Sequence, residues 1–435
     1  MSFSPTDTIV AIATPPGRGG IGVVRVSGPA APSIAHSLID LDIQLEPRRA
    51  TFTRTADLVG IRDEIIVTMF PAPHSYTGDD VVELSAHGSP VVLRAIVASA
   101  ISRGARLAEP GEFTLRAFLN GRIDLMQAEA VRDLIDAVTP LQARAAFDQL
   151  EGTLTRTIAE LDATLFDLIA KLEASIDFPD EGYHFIESQS LGRELDALLN
   201  RTSQLLADAQ RGRIVREGLQ VAIIGAPNVG KSSLFNALVG ADRAIVTDTP
   251  GTTRDLVTES VDIGGVRVTF IDTAGIRSTA DGVEAEGIAR SRQVQSVADL
   301  VLVVVDNDEP EPMSLPHLLV QSKIDLDRPH RGVRVSARTG EGVDNLRSAI
   351  LSALDVAPTR DRPEITNIRH ATLLSRAHDA LTRARSAVGF EGEPLSEEFV
   401  LIDLQIARDF LEEITGRRTS DELLGHVFSR FCVGK

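Results

Sequence analysis

Three rhythms of apolar and polar positions follow one another along the chain. Through residues 1–118 the apolar residues come in short runs punctuated by glycine and proline. Thr8 to Ala13, Ile21 to Val26, Glu64 to Phe70 and Val81 to Ala86 read as strands, and Val91 to Arg103 as a helix. That mixture predicts an α+β domain. From residue 119 the period becomes helical: Leu150, Leu154, Ile158, Leu161, Leu165, Leu168, Leu172 and Ile176 form one continuous stripe, which Asp177-Phe178-Pro179-Asp180 ends. A second leucine-rich stretch, Leu191 to Leu206, leads to what reads as a basic turn, Arg211-Gly212-Arg213. Residues 216–356 change rhythm again, to continuous apolar runs of strand length such as Val301 to Val305, the pattern of a buried parallel sheet. After a linker marked by Pro363, helical spacing returns over Asn367 to Val388 and Ser396 to Thr415. Neither stretch can bury its stripe alone, so both are expected against the helices of 119–215, which makes 119–215 and 357–435 two parts of one discontinuous helical-bundle domain with 216–356 inserted.

The inserted segment carries the most specific chemistry. The run Leu219 to Ile224 leads straight into Gly225-Ala226-Pro227-Asn228-Val229-Gly230-Lys231-Ser232, and a helical pattern starts at Ser233. Strand, glycine-bounded loop and helix in this order form a phosphate-binding loop. Glycines let backbone N–H groups curl around a phosphate, the lysine ammonium sits on the outer phosphates, and the Ser232 hydroxyl can ligate Mg²⁺. Downstream, Thr252-Thr253-Arg254-Asp255 precedes two strands, Leu256 to Ile263 and Val266 to Ile271, joined by the hairpin turn Gly264-Gly265. Thr253 is the second candidate Mg²⁺ ligand. Asp272-Thr273-Ala274-Gly275 offers a carboxylate near the metal and a glycine amide near the γ-phosphate. Ser322-Lys323-Ile324-Asp325 supplies the base reader, because a carboxylate accepts from guanine N1–H and the exocyclic amine, a donor pair adenine lacks. Ser336-Ala337-Arg338 adds a backbone amide for the guanine carbonyl. Together these motifs specify a GTPase, and the domain at 216–356 resembles a Ras-like G domain of the doubly wound α/β type.

Two positions depart from Ras-like practice. Residue 322 is serine where asparagine normally braces the base and the phosphate loop, which predicts weaker binding with guanine preference kept. Ile276 stands where a glutamine positions the attacking water, so another group must act. Glu284 and Glu286 lie in the following acidic segment, and chemistry alone does not separate them.

Composition narrows the picture in three ways. The net charge of −18 disfavours a nucleic-acid partner, but it is unevenly spread: residues 1–120, 121–215, 216–356 and 357–435 contribute −2, −8, −6 and −2. A nucleic acid would have to use local arginines at the near-neutral ends or a partner protein. Arginine makes up 40 of the 44 basic residues, and of the four lysines, Lys171, Lys231, Lys323 and Lys435, two occupy nucleotide motifs where a compact ammonium is not exchangeable. Cys432, the one cysteine, excludes a disulfide framework and a multi-cysteine zinc site. The start, MSFSPTDTIV, lacks the regions of a signal peptide, and the longest apolar run, Leu300 to Val305, is too short to cross a bilayer, so a cytoplasmic location without membrane attachment is expected. Thr14-Pro15-Pro16-Gly17-Arg18-Gly19-Gly20, between the first two strands, reads equally as an anion-binding loop or a mobile turn.

Beyond the G-domain motifs, Thr14 to Gly20, Tyr76-Thr77-Gly78, Pro110-Gly111-Glu112-Phe113-Thr114, Arg116-Ala117-Phe118-Leu119-Asn120-Gly121, Ile176-Asp177-Phe178-Pro179-Asp180 and the terminal Phe431-Cys432-Val433-Gly434-Lys435 are together similar to the MnmE (TrmE) family of tRNA-modification GTPases. The resemblance covers essentially the whole chain. It implies an N-terminal tetrahydrofolate-binding and dimerisation domain at 1–118, like that of the glycine-cleavage T-protein, and a helical domain ending in the cysteine motif. It also implies G domains that dimerise with potassium in the GTP-bound transition state. By position, Asn228 and the loop residues Thr247, Thr249 and Thr252 would hold potassium, with Thr247 and Thr252 also at the nucleotide. Glu284, rather than Glu286, would activate water, and Arg25, Glu83, Arg122 and Lys435 would hold 5-formyl-tetrahydrofolate. At Arg122 the family often has lysine, so charge is kept though geometry need not be. The reaction implied adds an aminomethyl or carboxymethylaminomethyl group at carbon 5 of the wobble uridine, jointly with the FAD-dependent flavoprotein MnmG (GidA). Cys432 is either a nucleophile in it or a structural terminus. The competing reading is a ribosome-assembly GTPase acting as a binding checkpoint, which would need neither the folate-like domain nor the cysteine motif.

Overall fold

The computed structural model of the chain describes residues 6–40, 45–58, 60–177, 187–240, 257–272, 298–305, 316–326, 332–354, 365–388 and 397–434. They form two compact units, Met1–Arg132 with Glu412–Lys435, and Asp133–Leu411.

The first unit is built on a sheet of β1 (Ile9–Ile12), β2 (Gly19–Ser27), β3 (Thr51–Arg54), β4 (Glu64–Phe70), β5 (Val81–Gly88) and β6 (Arg106–Leu107), in the order β3-β4-β5-β2-β1-β6. Pairing is antiparallel except between β1 and β6. Helices α1 (Ala31–Ser37) and α2 (Pro90–Ile101) bury Ile34, Leu38, Leu93 and Ile96 against Val10, Val24, Val26, Val82 and Leu84. Because side chains alternate along a strand, that packing turns Arg25 and Glu83 to the opposite face. There Ile9, Ala11 and Ala108 meet Phe113 of α3 (Glu112–Leu119), which α4 (Leu125–Asp136) follows.

In the second unit the single helical stripe expected from Leu150 to Ile176 is two helices, α5 (Pro140–Leu150) and α6 (Thr153–Asp177), broken at Gly152 with φ +78°. The expected basic turn Arg211-Gly212-Arg213 is instead helical: α7 runs unbroken from Ser188 to Glu217. Gly212 is there for packing, since a Cβ on it would lie 1.8 Å from the Ile365 carbonyl oxygen. Only glycine lets the backbone of 365–366 pass so close.

Gly218 (φ +82°) joins α7 to β7 (Leu219–Ile224), which α8 (Lys231–Val239) follows. With β8 (Val257–Ile263), β9 (Val266–Asp272), β10 (Leu300–Val305), β11 (His317–Gln321) and β12 (Val333–Arg334), β7 forms a sheet in the order β12-β11-β10-β7-β9-β8. Its pairings are parallel except the β8–β9 hairpin, whose turn Gly264-Gly265 has both φ angles positive. Beyond α9 (Val343–Ser352), α10 (Ile368–Ala387) lies along α7, tied by Arg385 to Asp196 at 2.8 Å and Thr202 to His378 at 2.7 Å. The next helix, α11 (Glu397–Thr415), reaches α6 through Arg408 and Asp162 at 2.8 Å.

The chain closes in the first unit. There α12 (Asp421–Phe428), capped by Ser420, packs Val427, Phe428 and Phe431 against Leu115 and Leu125. The tail then returns to the β-sheet: Pro110 bridges Val433, and Gly434 (φ +98°) lies so close to Ile12 that a Cβ would sit 2.3 Å from its carbonyl oxygen. No helix among the described residues is long and apolar enough to cross a membrane.

Candidate functional site

The central strand β7 has β10 on one side and β9 on the other, so connections diverge at its carboxyl end. In a doubly wound sheet that end opens the ligand crevice. The loop 225–230 occupies it. Gly225 (φ +150°) tolerates no Cβ, since one would fall 2.3 Å from the Val304 carbonyl oxygen. Asn228 and Gly230 have φ of +63° and +102°, and Gly230 opens α8, whose N-terminal amides suit an anion. Lys231 Nζ donates to the carbonyls of Gly225 and Ala226, both at 2.9 Å. Ala226, Pro227, Asn228, Ser232 and Ser233 are exposed, while Val229 is buried beneath them.

The guanine motifs meet this loop from below. Ser322 Oγ donates to the Val229 carbonyl at 2.5 Å, and Lys323 Nζ to the Asn228 carbonyl at 2.8 Å. The serine is shorter than asparagine, yet it still braces the loop. Ser336 Oγ donates to Asp325 Oδ1 at 3.0 Å and accepts the Thr339 amide at 3.2 Å, which orients the carboxylate. Sequence alone gives Ser336 only a backbone role; Ala337 and Arg338 follow it in the same turn. Asp272 closes β9, next to β7. Thr247, Thr249, Thr252, Thr253, Thr273, Ala274, Gly275, Ile276, Glu284 and Glu286, together with Lys435, lie outside the described residues.

In the first unit, Arg25 on β2 and Glu83 on β5 are register partners, and their side chains form an ion pair at 2.8 Å. The guanidinium also lies 5.3 Å from the Tyr76 ring and 5.6 Å from the Phe113 ring, and it donates to the Gly434 carbonyl at 3.4 Å. Three segments distant in sequence therefore converge on one arginine. Burial pushes the Tyr76 phenol up, with its hydroxyl at 2.8 Å from Thr114 Oγ1. Arg122 is exposed, packed over Gly78 beside Asn120, whose amide donates to the Thr77 carbonyl at 2.7 Å. Cys432 is exposed, and its carbonyl accepts from Gly111 N at 3.3 Å.

The roles of Tyr76 and Phe113 were invisible in spacing, although both stand inside motifs quoted for the resemblance. So was a half-buried charge network behind them, with Glu112 and Arg116 buried and Asp7 and Arg106 partly exposed. Arg106 donates to Asp7 at 2.8 Å and to Glu112 at 2.6 Å, and Arg116 donates to Asp7 at 2.5 Å and to Glu112 at 3.0 Å. Burial acts to raise the carboxyls of Asp7 and Glu112, but the hydrogen bonds from these arginines outweigh it and hold both below the ordinary carboxylate range.

Comparison with known proteins places one boundary between residues 122 and 125. The family model described as the N-terminus of the GTP-binding protein TrmE matches residues 8–122, and that of the MnmE helical domain matches 125–432. A tRNA modification GTPase MnmE of Koribacter versatilis (strain Ellin345) is 47% identical over 453 residues, covering 99% of each chain. The protein of that name from Aquifex aeolicus (strain VF5) is 41% identical, covering 99% of this chain and 100% of its own. Among solved structures, the G domain of the T. maritima FeoB iron transporter aligns with 31% of this chain and 98% of its own at 29% identity, with a TM-score of 0.24.

Proposed function

The chain belongs to the MnmE family of tRNA modification GTPases, and from that premise we propose that it hydrolyses GTP in the course of modifying the wobble uridine of certain tRNAs in the cytoplasm. The observation that carries the reading is that Lys231, Ser322 and Lys323 all bond to the backbone of one loop at the carboxyl end of β7, with Ser336 holding Asp325 of the same guanine motif. Its backbone cradle, closed to any Cβ at Gly225, fits a nucleotide phosphate. Mg²⁺ would be held by Ser232 and Thr253. Potassium would be held by Asn228, Thr247, Thr249 and Thr252, and when bound it would neutralise developing phosphate charge. Glu284 would activate the water, with a second copy of the chain completing the site. Glu284→Ala should then abolish hydrolysis with nucleotide affinity nearly intact, and equal hydrolysis in sodium and potassium buffers would sink the potassium assignment.

The first unit fits a reduced folate by its donor set: a guanidinium paired with a carboxylate between two aromatic rings suits a flat heterocycle with a polar edge. Arg25, Glu83, Arg122 and Lys435 would hold it, and 5-formyl-tetrahydrofolate would supply a one-carbon unit. Cys432 is the proposed thiol. Cys432→Ser removes the modified uridine if the thiol acts and keeps it if the residue is structural. The match of residues 8–122 to the TrmE N-terminus supports this reading over a ribosome-assembly checkpoint. Installing an aminomethyl or carboxymethylaminomethyl group also needs a redox partner, for which the family's FAD-dependent MnmG is proposed, in a complex with the homodimer. Mass spectrometry of tRNA nucleosides with and without the gene tests the whole proposal: unchanged modified uridine at position 34 would overturn it.

A further inference from the structure

The serine at position 322 invites a question that the motif pattern leaves open, namely which of an asparagine's two tasks it keeps. Ser322 is 6% exposed and sits under the phosphate loop, its Oγ 3.9 Å from where a Cβ on Gly230 would stand. That oxygen has two carbonyls within reach, Val229 at 2.5 Å and Val305 at 3.3 Å. A serine hydroxyl owns one proton, whereas an asparagine amide owns two. The single proton goes to the nearer carbonyl, that of Val229, and the other neighbour is also an acceptor. Nothing remains to donate to a base.

We propose that Ser322 is a positioning residue for the phosphates alone: it fixes the Val229 carbonyl, and with it the peptide that presents the Gly230 amide, while guanine N7 is left unread at this position. Its neighbour Lys323, with φ +56°, anchors the adjacent Asn228 carbonyl, so consecutive carbonyls of the loop are held by consecutive residues of the guanine motif. The base is then selected by Asp325, held by Ser336. The consequence is a division of labour: residue 322 sets how tightly any nucleotide is held, and residue 325 sets which one.

The inference rests on the reading of the loop as a guanine-nucleotide site, and titration calorimetry on the full chain separates the two. The probes are GDP and 7-deaza-GDP, in which a C–H replaces N7. The wild-type protein is expected to bind them with affinities within about twofold, because no donor faces N7. Ser322→Ala should weaken both by the same factor, about five- to tenfold, as for one lost buried hydrogen bond. Ser322→Thr, which keeps the hydroxyl, should restore both, and Ser322→Asn should newly favour GDP over the deaza analogue. A wild-type preference of tenfold or more for GDP, or a Ser322→Ala variant that changes the ratio or leaves GDP affinity untouched, would overturn the inference. Because the wild-type ratio needs no variant, a misfolded mutant does not spare it. If the wild type bound neither nucleotide, the guanine-nucleotide reading itself would fall.

Discussion

Ser336 Oγ, 3.0 Å from one Asp325 oxygen, sets the plane of that carboxylate before any base arrives. Guanine offers it N1–H and an exocyclic amine, whereas xanthine replaces the amine with a carbonyl. Asp325→Asn keeps the shape and turns one acceptor into a donor, so it should lower GTP affinity by about a hundredfold or more while raising that for the xanthine nucleotide. Binding measured with both nucleotides checks this, and a D325N variant that kept its GTP preference would take base selection away from the residue. Lys231 is held over the carbonyls of Gly225 and Ala226, where a flexible ammonium waits without distorting the loop. Lys231→Arg should fail to restore what Lys231→Ala loses, since a planar guanidinium cannot occupy the same small volume. Hydrolysis assays of the two variants side by side decide the point.

Two opposing effects meet in α7 at Gly212, and their magnitudes decide the outcome. Helix propensity alone predicts that Gly212→Ala stabilises by about 1 kcal/mol. The added Cβ, however, would fall 1.8 Å from the Ile365 carbonyl oxygen, and backbone must move to make room. Overpacking of that kind costs about 1–3 kcal/mol or more, so the variant should melt lower; an unchanged melting temperature would refute the close approach. The same residue shows where sequence reading stops. The phosphate loop is legible because its residue types stand next to one another in sequence, although the close approach that fixes Gly225 comes from Val304. Gly212 reads as a turn in sequence because its reason for being glycine comes from 365–366, far along the chain. The break at Gly152 was hidden for a different cause, since a leucine stripe keeps its phase across a short interruption between two helices. Arg25 and Glu83 were singled out through the resemblance, but their pairing is a matter of strand register, and the rings above them come from segments that only the tertiary fold brings in.

At the scale of the whole molecule the two units should answer differently to acid. In the first, Asp7 and Glu112 titrate below their ordinary range because Arg106 and Arg116 hold them. A carboxylate whose folded pKa is depressed binds fewer protons folded than unfolded. Its contribution is therefore fully present above about pH 5 and is lost as pH falls through about 4 and below. Melting of the chain followed between pH 7 and 3 should show the first unit failing in that window. Glu112→Gln, which removes one titrating group, should flatten the slope; an unaltered slope would mean that the network does not set acid stability. Chain order alone did not foretell that 412–435 would fold with 1–132, because that depends on Phe428 and Phe431 finding Leu115 and Leu125.

Within the second unit, α7 has the proportions of a lever. At 30 residues and 1.5 Å each it is a rod about 45 Å long, and it meets the strand that ends in the phosphate loop through the single residue Gly218. A tilt of about 10° at that joint displaces the far end of the rod by about 8 Å, a large stroke from a small rotation. Arg213, in the last turns of the rod, grips Asp299 at the start of β10 at 2.9 Å, and Asp299 in turn accepts the Gln220 amide at 2.9 Å. That ion pair stands next to the fulcrum, where it works at the shortest lever arm, beside Ile214, which packs into the core under the sheet. Arg213→Ala should weaken that coupling while Ile214 stays packed in the core.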